Sequence, residues 1–397
     1  MPWSETSAME QRVQFIRDWL THKHCVSELC TTYGVSRKTG YKWIERYMTQ
    51  GPDGLLDRGH AAQVVHNKTS AQAEQALLAL RLRHPSWGAK KLLHTLSLRE
   101  PMLDLPGRST VCDILSRNGL VRKKPRRRAL GHPGRPSSSI VLPNDCWSAD
   151  FKGHFRTGDG LYCYPLTVTD NYSRYLLGCQ ALAGTSHDAS KAVFTRLFKH
   201  YGLPRRIRTD NGVPFAAASL ARLSRLSVWW LKLGVLPELI EPGQPQQNGR
   251  HERMHRTLKD ETTKPPAASS RAQQRKFDAF VHEYNEERPH EALDMSTPAQ
   301  LYEASPRAMP DKLLPPEYPD RFEVRYVSAN GGIRWRKRWV NVTSALIGEY
   351  VGLEEIDDGH WDVFFGPLKL GRLHERSMRI EDHLGRLKRR VPRGVAP

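Results

Sequence analysis

The sequence predicts a multidomain protein with three kinds of fold in order. These are N-terminal all-α helix-turn-helix modules, a central α/β core around a mixed sheet, and a small antiparallel β-barrel at the C-terminus. Three observations predict this. Apolar residues recur at helical spacing from Arg12 to about Val121. β-prone runs then alternate with helical ones, the pattern of a mixed sheet. After Arg321, apolar and polar residues alternate around Asn-Gly and Asp-Gly turns, as in a small barrel.

At the N-terminus, Arg12 to Leu20 reads as a helix with Val13, Ile16, Trp19 and Leu20 at helical spacing. A second helix carries Val26, Leu29 and Cys30, and Gly34 supplies the turn. Ser36 is an N-cap for SRKTGYKWIERYM, so Arg37, Lys38, Thr39 and Lys42 lie at the exposed start of a recognition helix, able to reach bases and phosphates. GPDGLLDRGHAAQVVHNK is a Gly- and Pro-containing linker. SAQAEQALLALRLRHP, SWGAKKLLHTL and GRSTVCDILSRNGLV form a second three-helix unit, with Ser109 or Thr110 near the start of its last helix.

Lysine and arginine outnumber aspartate and glutamate 61 to 42, a net charge of +19 that favours a polyanionic partner. The charge concentrates in RKKPRRR, where Lys123, Lys124, Arg126, Arg127 and Arg128 cannot bury themselves and can track phosphates. No run of 18 apolar residues exists, and MPWSETSAMEQR has neither the basic nor the apolar region of a signal peptide. Secretion and membrane spanning are therefore not expected. The six cysteines form no C-x-x-C pair, and His22, His24, Cys25 and Cys30 do not match a usual zinc spacing. Buried free thiols in a reducing cytoplasm are the expectation.

In the central region DCWSADFKGHF, LYCYPLTVTDNY and RYLLGCQAL read as three antiparallel strands. A helix from about His187 to Tyr201 follows, then a short strand RRIRTD, a helical ASLARLSRLSVWWLKLG, a strand at Pro237 to Ile240, and a long helix from about Gln247. Three acids stand at strand and helix ends: Asp150 inside the first strand, Asp210 at the end of RIRTD, and Glu252 in the first turns of the long helix. Such a set suits phosphoryl transfer. Hard Mg²⁺ prefers carboxylate oxygens, and two ions roughly 4 Å apart can clamp the attacking and leaving oxygens. Converging acids repel one another until a metal relieves them.

Glu252 also sits in HERMH, which matches the H-E-x-x-H signature of zinc proteases. The flanks NGRHERMHRTLKDE lack the apolar character of a protease zinc helix, and no third ligand can be argued. In the barrel region, Arg334 to Trp339 mixes cations with aromatics, so Arg336 and Arg338 suit a nucleic-acid surface, although a packed wall explains the tryptophans equally well.

WSADFKG, RTDNGVPF and PGQPQQNGRHERMHRTLKDE resemble the three catalytic blocks of bacterial insertion-sequence transposases of the DDE type, whose core is retroviral-integrase-like and ribonuclease-H-like. YNEERPHEALDMSTPAQLY is similar to the segment that closes that core, and the final region is similar to the family's SH3-like DNA-binding barrels. The resemblance implies that Asp150, Asp210 and Glu252 are the catalytic, metal-binding triad. It implies two Mg²⁺ ions, replaceable by Mn²⁺, and Lys259 as a DNA contact. Arg256 and Lys259 share the face of Glu252 at i+4 and i+7. The separation from Asp210 to Glu252 exceeds the family's usual one, which makes Glu241 the alternative third acid.

Expected boundaries are a helix-turn-helix domain over 8–50, a linker over 51–69 and a second helical DNA-binding domain over 70–121. A basic linker over 122–143, the catalytic core over 144–305, a barrel over 318–380 and a basic tail over 381–397 complete the chain. By the same resemblance the partners are double-stranded DNA, as terminal inverted repeats and as target, and further copies of the chain in a dimer or higher oligomer. A bacterial, cytoplasmic and nucleoid-associated location follows. The other readings are a DNA-binding regulator and an Mg-dependent endonuclease without strand transfer.

Overall fold

The computed structural model describes residues 7–57, 68–121, 139–241 and 248–382. The chain divides into two compact units, 1–68 and 69–397.

The first unit holds α1 (Ala8–Leu20), α2 (Val26–Thr32), α3 (Arg37–Gln50) and a short 3₁₀ turn, Gly51–Leu55. α1 begins earlier than its apolar spacing suggests, because Ser7 and Glu10 close a capping box ahead of it. Its buried face is Phe15 and Ile16, whereas Val13 and Leu20 are both 47% exposed, a correction to the expected stripe. Ser36 caps α3 as expected, accepting from Thr39 N at 3.2 Å. Gly40 lets α3 approach its neighbours, since a Cβ there would stand 2.5 Å from Cys30 Sγ. Part of the expected linker belongs to this fold: Leu55 is buried, and its carbonyl accepts from Arg12 Nη1 at 3.0 Å. Of the six cysteines, Cys25 and Cys112 are exposed rather than buried, because each lies on the outer side of its helix end or face.

The second unit begins with α4 (Ala71–Arg83), α5 (Ala89–Arg99) and α6 (Arg108–Arg117) around Leu77, Leu92, Val111 and a fully buried Trp87. This helical module is part of the same unit as the core. Trp87 Nε1 donates to Glu283 Oε1 at 2.9 Å. Arg288, itself buried, donates to Ser86 Oγ at 2.8 Å and pairs with Glu261 (3.2 Å) and Glu283 (3.4 Å). A hydrogen-bonded ion cluster therefore fixes the module to the turn Glu283–Glu287.

The core sheet is built from β1 (Trp147–Phe151), β2 (Phe155–Arg156), β3 (Tyr162–Asp170), β4 (Leu176–Leu182), β5 (Arg206–Thr209) and β6 (Leu236–Leu239). β1 runs antiparallel to β3 and parallel to β5, β3 pairs antiparallel with β4, and β5 pairs parallel with β6. That is the expected mixed sheet. Alternation along β1 sends Trp147 and Ala149 to one face, where they pack with Phe194 and Phe198 of α7 (His187–Tyr201) and Trp230 of α8 (Arg225–Lys232). On the other face, Cys163 and Cys179 pack against Met254 and Leu258 of α9 (Gly249–Thr262) and Phe277 and Phe280 of α10 (Ser270–His282). The expected long helix from about Gln247 is α9, and α10 and α11 (Pro298–Leu301) follow it.

The C-terminal region forms a five-stranded antiparallel sheet. It contains β7 (Glu323–Tyr326), β10 (Tyr350–Asp357), β11 (His360–Phe365), β12 (Leu368–His374) and β13 (Arg379–Asp382). The hairpin of β8 (Gly332–Trp335) and β9 (Arg338–Asn341) shares its core. Gly331 and Gly359 have φ of +80° and +71°, the left-handed backbone that the Asn-Gly and Asp-Gly turns require. The sheet packs on Leu220, Leu223, Val228 and Leu231, and Lys232 pairs with Glu349 at 2.7 Å. The long separation between Asp210 and Glu252 therefore has a structural use: its 3₁₀ turn and α8 carry the C-terminal sheet. No helix among the described residues is long and apolar enough to cross a membrane.

Candidate active site

Strand register brings the first two acids together. β1 and β5 are parallel, with Ala149 beside Thr209, so Asp150 and Asp210 are the next residues along neighbouring strands. Asp210 is held in its turn by Gly212 N, which donates to Oδ1 at 3.1 Å. Gly212 has little room for a side chain, since a Cβ would stand 3.1 Å from Asp210 Oδ2. Asn211 Nδ2 donates to Ile240 O at 2.9 Å and ties the same turn to the end of β6.

The candidate third acid, Glu252, lies in the first turn of α9. Glu252, Arg256 and Lys259 are exposed together, while His251, Met254, His255 and Leu258 are buried. Asp150 registers the other acids. Its carboxyl is pushed up to about 7, first by burial, then by the charge of Asp210, with Glu252 adding to it, while the Phe151 amide and Lys152 oppose. Carboxylates whose charges raise the proton affinity of Asp150 form a cluster suited to a hard cation with oxygen ligands, so these residues fit Mg²⁺. Glu241, the alternative third acid, lies exposed just beyond β6.

Sequence reasoning missed the inner side of α9. His255 Nδ1 lies 3.7 Å from Asp150 Oδ2, and Thr167 Oγ1 bonds both His251 Nε2 (2.7 Å) and His255 Nε2 (2.6 Å). Burial drives His251 down to about 3 and lowers His255 further, with the His251 charge adding to the effect there. Both rings are neutral at ordinary pH. The signal was present in HERMH as two histidines one turn apart, but their partners lie on β3, more than 80 residues upstream in the sequence.

The expected DNA contacts fall into three groups. Arg37, Lys38 and Lys42 are exposed and Thr39 half-exposed at the start of α3. Arg336 and Arg338 are exposed on the β8–β9 hairpin, where Arg336 (φ +41°) and Lys337 (φ +66°) form the tip and Arg336 pairs with Glu375 at 2.8 Å. The tryptophans there divide, Trp335 being buried and Trp339 41% exposed. Lys123, Lys124, Arg126, Arg127 and Arg128 lie outside the described residues.

Family comparisons follow the same order of parts. Homeodomain-like domains match residues 6–56 and 39–115, integrase core domains match 141–245 and 233–298, and the C-terminal domain of the IS481 family transposases matches 322–380. Together these matches support an insertion-sequence transposase with an integrase core.

Proteins similar to this chain include the insertion element IS407 uncharacterized 31.7 kDa protein of Burkholderia multivorans. The two are 26% identical over 64% of this chain and 90% of that protein. The insertion element IS476 uncharacterized 39.2 kDa protein of Xanthomonas euvesicatoria is 32% identical over 46% of this chain and 51% of its own length. The Gag-Pol polyprotein of baboon endogenous virus is 31% identical over 31% of this chain and 7% of the polyprotein. Among solved structures, the HTLV-2 integrase catalytic core in complex with magnesium is 16% identical, at TM-score 0.33, over 41% of this chain and 99% of that one. The simian T-cell lymphotropic virus intasome in complex with PP2A regulatory subunit B56 gamma gives 18% identity and TM-score 0.36, over 74% of this chain and 97% of that one.

Proposed function

We propose that this protein moves its own insertion sequence by binding the element's terminal inverted repeats, nicking each end, and joining the freed 3′-OH groups to target DNA. The observation that supports this most is the parallel β1–β5 register, which sets Asp150 beside Asp210, with Glu252 on α9 adding its charge to the burial and the Asp210 charge that raise the Asp150 carboxyl. Asp150, Asp210 and Glu252 would hold two Mg²⁺ ions, or Mn²⁺ in their place. Bound there, the metal would supply Lewis-acid activation of water and neutralise charge on the phosphate oxygens.

The reaction asks little else of the chain. Water attacks the phosphodiester at the element end and a 3′-OH leaves. That hydroxyl then attacks a target phosphodiester, so one P–O bond forms as one breaks, with no ATP and no covalent enzyme intermediate. Arg256 and Lys259, exposed beside Glu252, lie where they can hold the DNA backbone next to the reacting phosphate. Arg37, Lys38, Thr39 and Lys42 read or grip the terminal repeat, the basic linker residues track phosphates, and Arg336 and Arg338 carry DNA on a barrel of SH3 type. Two ends must be held at once, so a dimer or higher oligomer works on the DNA in the bacterial nucleoid.

The test incubates the protein and Mg²⁺ with labelled DNA bearing the host element's ends and a supercoiled plasmid. Label covalently joined to plasmid, absent with Asp150→Asn, supports transposition. Cleavage without joining leaves an endonuclease, and binding alone leaves a regulator.

A further inference from the structure

We propose that His251 and His255, with Thr167 and Thr169, form a hydrogen-bonded brace that positions the helix carrying Glu252 against the strand carrying Asp150. The role of HERMH is thus positional, and its histidines bind no zinc. This rests on the reading that Asp150 and Glu252 share a metal.

The argument starts from one hydroxyl. Thr167 stands opposite Asp150 in the β1–β3 ladder and donates to the Asp150 carbonyl at 3.1 Å. A threonine hydroxyl has one hydrogen and two lone pairs. With its hydrogen committed, Thr167 can only accept from the two imidazoles at 2.7 and 2.6 Å, so Nε2 carries the proton in both rings. His251 then has a bare Nδ1, which accepts from Thr169 Oγ1 at 2.8 Å. Every polar atom of His251 and Thr167 is used, inside a pocket where both histidines are at most 3% exposed.

The same bonding answers the zinc question. Asp150, His251 and His255 gather ligand-type atoms within 4.8 Å of one another. A zinc ligand must nonetheless offer a free lone pair at about 2.0 Å. His251 has none, and the Nδ1 lone pair of His255 faces Asp150 Oδ2 at 3.7 Å, beyond hydrogen-bond length. What the network does is link elements. Thr167 touches the main chain of Asp150 and both inward residues of α9, while Glu252 follows His251 on the exposed side. Sliding α9 by one residue moves it about 1.5 Å and breaks both imidazole bonds together. The spacing between the two carboxylates is fixed by this brace.

Mn²⁺ titration of the full chain without DNA, followed by electron paramagnetic resonance, tests the proposal without relying on joining. Thr167→Val keeps the shape and removes the hydroxyl. It is expected to weaken Mn²⁺ binding by roughly 10–100-fold, the usual effect of losing a partner that orients metal ligands. Thr167→Ser keeps the hydroxyl and is expected to stay within about threefold of wild type, with DNA affinity at low salt unchanged in both. Should Thr167→Val fail to fold, Thr169→Val, which removes only the outer bond, carries the same readout with a smaller loss. Wild-type metal affinity in the valine variants, equal losses in valine and serine, or stoichiometric zinc in the purified protein that His251→Ala abolishes would each overturn the brace. Failure of wild type to join DNA ends would instead count against the transposition reading.

Discussion

Asp150→Asn should stabilise the metal-free protein while abolishing its chemistry. In the folded chain the Asp150 carboxyl is raised from 3.8 to about 7, by burial first and the Asp210 charge second. A group whose folded pKa is raised favours the folded state in acid and costs stability as pH rises from about 4 to about 7. The shift is roughly three pKa units at 1.36 kcal/mol each, an upper bound near 4 kcal/mol. Because the carboxyl is 23% exposed, screening and relaxation reduce the expected gain to about 1–3 kcal/mol. At about 2–4 °C per kcal/mol, the asparagine variant should melt several degrees above wild type at pH 8 without divalent metal. The difference should vanish near pH 4 and shrink when Mg²⁺ is added, since the metal relieves the repulsion only in wild type. Thermal melts by circular dichroism across pH 4–8, with and without Mg²⁺, provide the measurement. A variant no more stable than wild type at pH 8, or a difference independent of pH, would refute the convergence of charge at this site.

Other consequences follow from single contacts. Arg288→Ala removes the guanidinium that Glu261 and Glu283 share beneath the α4–α6 module, leaving Glu283 only Trp87 and His84, and should cost about 1–3 kcal/mol in urea unfolding; no measurable loss would show that the guanidinium holds nothing. Gly212→Ala crowds Asp210 Oδ2, and a displacement of a few tenths of an ångström should lower joining by about tenfold with little change in melting. Replacing Arg37, Lys38 or Lys42 by alanine should weaken DNA binding and reduce the slope of affinity against salt by about one each, read by fluorescence anisotropy at several salt concentrations.

The sequence carried the elements that bear the candidate acids further than it carried the assembly. Asp150 and Asp210 were legible because β-prone runs mark their strands, and Glu252 because apolar spacing sets its helix. Gly34 and Ser36 marked the turn and the cap of α3 by backbone chemistry that any neighbour would leave intact. Residues that depend on long-range register were not legible. Nothing local says that Thr167 lies opposite Asp150, so the partners of HERMH had to wait for β3 to be placed. Trp87 and Glu283 are 196 residues apart, and the contact that makes α4–α6 part of the core unit leaves no periodic trace. Val13 was misplaced for a related reason: α1 turns Phe15 and Ile16 toward α2 and α3, and a stripe read from one helix cannot see which side its neighbours occupy.

The central claim is that Asp150, Asp210 and Glu252 together perform the chemistry, and one assay tests it most directly. Strand transfer of pre-nicked element ends into plasmid would be measured for Asp150→Asn, Asp210→Asn, Glu252→Gln and Glu241→Gln, each shown to bind the ends as wild type does. The account predicts that the first three lose joining by at least about a thousandfold, on the order expected when an electrostatic catalytic group is removed, and that Glu241→Gln joins normally. Joining by Glu252→Gln, or its loss in Glu241→Gln alone, would contradict the account.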